Sequence, residues 1–92
     1  MRMASAFFEE GASMRIDKYL KVSRIIKRRT VAKEALDMGR VTVNGHMVKA
    51  GYEVKIGDQI TIDTPSGPRT VIVEAIRENV PAKEAGTLYR QV

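Results

Sequence analysis

Cysteine is absent from the 92-residue chain, which rules out disulfides and thiolate metal sites and fits a reducing compartment. Tryptophan is absent as well, and the two phenylalanines, Phe7 and Phe8, fall near the start. Tyr19, Tyr52 and Tyr89 complete the aromatic set, too few for a platform on which single-stranded bases stack. A helix lying on a membrane surface would want Trp or Phe anchors opposite its lysines, so no membrane contact is expected. The single histidine, His46, has no second His or Cys with which to hold zinc. It follows Asn44-Gly45 and reads as a solvated residue at a hairpin tip. No Gly-x-Ser-x-Gly elbow and no phosphate-cradling glycine loop can be drawn. No apolar run approaches the ~18 residues that span a bilayer. The start has only Ala6-Phe7-Phe8 before Glu9 and Glu10, too short for a secretory signal. A soluble, cytoplasmic protein is therefore expected. A domain this small has little room for a deep cleft beside its core, so no enzyme, no catalytic residue, no cofactor and no metal are expected.

What the chain does have is positive charge, and it is concentrated. Between Arg15 and Arg40 lie nine of the sixteen Lys and Arg residues: Arg15, Lys18, Lys21, Arg24, Lys27, Arg28, Arg29, Lys33 and Arg40. Only Asp17, Glu34 and Asp37 oppose them, so this block carries +6 while the other 66 residues carry −1. Clustered cations attract polyanions. Lys27-Arg28-Arg29 is a self-repelling run that bound phosphate would relieve. The cations are not interleaved with acids at the i+4 spacing of a salt-bridged surface helix.

The organisation follows from periodicity. Residues 1–13 read as a flexible extension, and Met14 is itself a candidate initiator. Ile16, Tyr19, Leu20 and Ser23 mark the inner face of a first helix over 15–23. In the following RIIKRR, Ile25 and Ile26 are expected to plug the core while the cations point outward. Thr30 is the expected N-cap of a second helix over 31–38. Its inner face would be Ala32, Ala35 and Leu36, with Val31 beside them and Gly39 closing its end. From Arg40 the period changes to two. Asn44-Gly45 between β-formers predicts a type I′ hairpin joining 40–43 to 46–49. Residues 55–58 read as a turn, 59–63 as a strand, 64–68 as a loop and 69–77 as a further strand. Leu88-Tyr89 is a candidate edge strand. The expected fold is α+β: two short N-terminal helices packed on a small antiparallel sheet of four to five strands. Residues 14–78 would form the domain and 79–92 a C-terminal extension.

The choice of polyanion can be narrowed. A DNA reader would present Asn, Gln or Arg from a capped recognition helix, whereas the second helix offers Lys33, Glu34 and Asp37. Backbone and shape recognition of structured RNA remains, where phosphate and 2′-hydroxyl contacts dominate and the planar arginine fork suits phosphate.

RIDKYLKVSRIIKRRTVAKEALDMGRVTVNG followed by VKAGYEVKIGDQITI resembles the S-four-type RNA-binding domain over about residues 14–62. That family is shared by pseudouridine synthases, tyrosyl-tRNA synthetases and a small heat-shock protein. The likeness is nearest to the stand-alone bacterial factors of ribosome-associated quality control. It implies binding to large-subunit ribosomal RNA and peptidyl-site tRNA on obstructed large ribosomal subunits. It also implies work beside a tRNA-recruiting partner protein that adds alanine tails to stalled chains. By motif position it implies Arg15 and Arg29 as principal RNA contacts, supported by Lys18, Lys21, Lys27, Arg28 and Arg40. Arg24 and Lys33 join them as part of the same basic block. Asn44 and Gly45 would form the turn that shapes the surface. A monomer is expected. The alternatives are a heat-shock-type factor recycling subunits that still hold peptidyl-tRNA, an accessory module of an RNA-modifying enzyme, and a general DNA-binding protein.

Overall fold

The structure, a computed structural model, describes residues 13–78 and 80–92. The extension expected over 1–13 therefore lies outside the described residues, apart from Ser13.

A two-residue strand, β1 (Met14–Arg15), opens the fold and pairs with β4 (Glu53–Val54), aligning Met14 with Val54. This ladder has no signature in the sequence, and it takes Arg15 out of the first helix. Helix α1 (Ile16–Val22) follows. Its inner face is as the periodicity predicts: Ile16, Tyr19, Leu20 and Ser23 are all buried. Arg24, in the left-handed region at φ 62°, turns the chain out of the helix. Ile25 and Ile26 then pack against the core while Arg24, Lys27 and Arg28 are exposed.

Helix α2 spans Arg29–Asp37. Thr30 is not its N-cap. Arg28 holds that position without a side-chain hydrogen bond, and its carbonyl accepts from Ala32 N at 3.1 Å. The earlier start places Arg29 in the first turn, where its guanidinium reaches α1. Ala32 and Leu36 are buried and Ala35 half-buried, but Val31 faces outward at 46% exposure, because one residue off the stripe is a rotation of about 100°. The helix closes as expected at Gly39, φ 74°. Arg40 N donates to Ala35 O and Gly39 N to Leu36 O, the paired bonds of a Schellman motif.

The main sheet runs β3-β2-β5-β6-β7 and is antiparallel throughout. Its strands are β2 (Val41–Val43), β3 (His46–Met47), β5 (Gln59–Thr64), β6 (Gly67–Val73) and β7 (Tyr89–Gln91). Val41, Val43, Ile60, Ile62, Val71 and Val73 alternate inward and are buried. Thr42, Thr61 and Thr70 align across the other face. The predicted hairpin is present, with Asn44 at φ 52° and Gly45 at φ 86°, the signs a type I′ turn requires.

Several expected boundaries move: β3 stops at Met47, short of residue 49, and Thr64, read as loop, belongs to β5. Gly67 and Pro68, read as loop, belong to β6 and pair with Thr64 and Asp63. β7 reaches β6 only over Val71–Val73, so Pro68 sits where β6 has an open edge and its missing N–H costs nothing. The strand expected to run to Arg77 ends at Val73. Glu74 N and Ala75 N both donate to Leu88 O, at 2.9 and 3.1 Å, which draws the chain off the sheet. The same carbonyl accepts from the buried Tyr19 hydroxyl at 2.7 Å. Leu88 ends a 3₁₀ helix, Ala82–Leu88, and is fully buried, so the C-terminal stretch shares the core of the helices.

Candidate nucleic-acid interface

The first turn of α1 holds a buried acid. Asp17 is 1% exposed, and in the sequence it counts only as an opposing charge. Arg15, from β1, donates through Nε to Asp17 Oδ1 at 3.3 Å and through Nη2 to Oδ2 at 3.4 Å. Arg29, from the first turn of α2, donates through Nε to Oδ2 at 3.2 Å and through Nη2 to Oδ1 at 3.4 Å. Lys18 N adds a fifth donor, 2.8 Å from Oδ1. Burial is the largest influence on this carboxyl and raises its pKa. The hydrogen bond and charge of Arg29, the Lys18 amide and the charge of Arg15 together outweigh burial and hold it below the usual carboxylate range. The acid is thus ionised at neutral pH and joins the two arginines expected as principal contacts.

Around this centre the other expected residues separate into groups. Lys18 donates to Glu78 Oε1 at 3.0 Å, so part of its charge is met within the chain. Lys21 and Arg24 share an open cavity of about 460 Å³ with Val22, Glu78, Val80 and Pro81. Lys27 and Arg28 on the α1–α2 connector, and Lys33 on α2, are exposed. Lys21, Arg24, Lys27, Arg28 and Lys33 make no ion pair among the described residues. Arg40 lies at the entrance to β2, beside Asp63, Thr64 and Pro65.

Asn44 serves the fold itself. Its Nδ2 donates to Asp58 Oδ1 at 3.3 Å, and its Oδ1 accepts from Gln59 N at 3.0 Å. Asp58 also accepts from Lys55 N at 2.9 Å and the Tyr52 hydroxyl at 3.3 Å. Burial and then the neighbouring Asp58 raise the Tyr52 pKa. The hairpin tip is thereby fastened to the turn before β5. His46 is exposed.

No group of His, Cys, Asp and Glu among the described residues could hold a metal ion. No helix among them is long and apolar enough to cross a membrane. Glu78 and Asp17 are the two residues of this surface that periodicity missed. Asp17 lies at the margin of the apolar stripe of α1, where pattern alone does not separate a buried acid from a solvated one.

Comparison with known proteins agrees with this architecture. The family model for the S4 domain matches residues 14–60. The RQC P-site tRNA stabilizing factor of Halalkalibacterium halodurans is 53% identical over 76 residues, covering 83% of this chain and 86% of the relative. The factor of the same name from Bacillus subtilis is 46% identical over 76 residues, with coverages of 83% and 88%. Among solved structures, heat shock protein 15 of Vibrio cholerae, described as trimeric, superposes with a TM-score of 0.81 at 36% identity. That match covers 87% of this chain and 82% of the other. The chain belongs to the S4 domain family and, within it, to the group of the RQC P-site tRNA stabilizing factors.

Proposed function

We propose that this protein is a non-catalytic RNA-binding factor of ribosome-associated quality control. It acts in the cytoplasm, as a monomer, on obstructed large ribosomal subunits. There it holds large-subunit ribosomal RNA and peptidyl-site tRNA, and it assists the tRNA-recruiting partner protein in alanine tailing of stalled chains. Residues 14–78 form the RNA-binding domain in this reading, and 79–92 extend it. Arg15, Lys18, Lys21, Arg24, Lys27, Arg28, Arg29 and Lys33 form the contact surface, with Arg40 and the Asn44 turn at its margin.

One observation carries the RNA reading: Arg15 and Arg29, distant in the chain, meet at one buried carboxylate beside exposed cations that have no acidic partner among the described residues. Phosphate contacts of this kind position a protein on folded RNA without reading bases. The names of the relatives support the finer assignment to a peptidyl-site tRNA. A second reading, recycling of subunits that still carry peptidyl-tRNA, draws on the likeness to heat shock protein 15.

The test is co-sedimentation with purified large subunits, with and without a peptidyl-tRNA. Lys27→Ala with Arg28→Ala removes two exposed, unpaired cations. Such surface changes usually alter stability by less than ~0.5 kcal/mol. The double variant is expected to fold normally and to lose most of its association with tRNA-bearing subunits. Unchanged sedimentation would overturn the proposed surface. Equal binding to empty subunits would remove the role of the tRNA.

A further inference from the structure

The way Arg15 and Arg29 address Asp17 leaves part of each guanidinium unused. A guanidinium has a side edge, Nε with Nη2, and an end edge, Nη1 with Nη2. Both arginines give their side edge to the carboxylate. Nη1 of neither donates to any group among the described residues, and the two side chains are 50% and 44% exposed. The end edge can grip a phosphate with two parallel hydrogen bonds, and because Arg15 sets Nε on Oδ1 and Arg29 sets Nε on Oδ2, the two end edges face opposite ends of the carboxylate. Asp17 offsets one of the two positive charges, so the triad carries +1.

We infer that Asp17 is a positioning residue, which holds Arg15 and Arg29 with each free end edge a preformed fork for a backbone phosphate of RNA. The inference rests on the RNA-binding reading and adds a mechanism to it. Free arginines would lose rotamer freedom on gripping a phosphate. Here that ordering has taken place in folding, which lowers the entropic cost of binding.

The fork makes a prediction opposite in sign to simple electrostatics. Asp17→Asn adds one positive charge to the surface, so charge alone predicts tighter RNA binding. Loss of the fork predicts weaker binding. The probe is a fluorescein-labelled RNA stem-loop titrated with the full chain and followed by anisotropy across a salt series. Asp17→Asn is expected to bind about tenfold more weakly than the parent. Unchanged or tighter binding by a folded variant would overturn the fork. Circular dichroism checks the fold.

Arg29→Lys keeps the charge and serves where Asp17→Asn unfolds. An ammonium cannot give one edge to Asp17 and another to phosphate. About tenfold weaker binding with an unchanged salt slope is expected, because the slope counts cations and not their geometry. Affinity equal to the parent would overturn the fork. Failure of the parent itself to bind the stem-loop would instead strike the RNA-binding reading.

Discussion

A carboxyl group 1% exposed would ordinarily keep its proton, since burial is the largest single influence on Asp17 and favours the neutral acid. Arg29, the Lys18 amide and Arg15 reverse that outcome. The consequence for stability has a definite sign. A carboxylate whose pKa is lowered by folding contributes fully above its ordinary value and loses that contribution as pH falls through the folded value. The stability gap between the parent and Asp17→Asn, measured by urea unfolding, is thus expected to be widest near neutral pH and to narrow below about pH 4. A gap that stays constant to about pH 2 would mean that the shape of the side chain, and not its charge, matters. The same arrangement makes Arg29→Ala more than a surface change, because it strips a buried acid of its principal partner.

At the scale of elements, α2 shows what a sequence can and cannot specify. Ala32 and Leu36 follow from helical spacing, and the glycine stop at Gly39 from the left-handed conformation it adopts. The helix start does not follow, because Arg28 caps nothing with its side chain and the deciding contact, Arg29 with Asp17, bridges twelve residues. Similarly, the Asn44-Gly45 turn was legible from two adjacent residues. The β1–β4 ladder joins segments about forty residues apart and left no periodic mark. The cations of the candidate interface could be listed from the sequence, but their division into paired, cavity-lining and free groups depends on Asp17 and Glu78, whose partners are set by tertiary folding. Leu36, 4% exposed on the inner face of α2, ties this helix to the core. Leu36→Ala is expected to cost roughly 2–5 kcal/mol in unfolding free energy. It should weaken RNA binding only through loss of fold, so affinity measured well below the melting temperature should stay near that of the parent. Unaltered thermal stability would show that α2 is held by its ion pair and not by its apolar face.

For the molecule as a whole, the placement of ion pairs decides how much charge is left for a partner. Beyond Arg40 six basic residues face six acids, and among them Arg77 meets Glu84 at 3.6 Å and Arg90 meets Glu74 at 3.1 Å. Lys49, Lys55 and Lys83 are exposed without an ion pair among the described residues as well, but they are scattered along the chain, whereas Lys21, Arg24, Lys27, Arg28 and Lys33 follow one another on α1, the connector and α2. Each phosphate neutralised releases counterions and adds about 0.9 to the magnitude of the log–log salt slope on duplex RNA or DNA. The triad of Arg15, Asp17 and Arg29 counts once, since its net charge is +1, and Lys21, Arg24, Lys27, Arg28 and Lys33 add to it as far as each reaches a phosphate. A slope of magnitude about 3–6 is therefore expected for structured RNA, well short of what all sixteen basic residues would give. The decisive comparison is between variants of equal charge loss. Lys27→Ala with Arg28→Ala should reduce the slope by about 2, whereas Arg77→Ala with Arg90→Ala should leave it unchanged. If both pairs flatten the slope equally, the RNA responds to net charge over the whole surface, and the helices with their connector lose their claim to be the face that meets it.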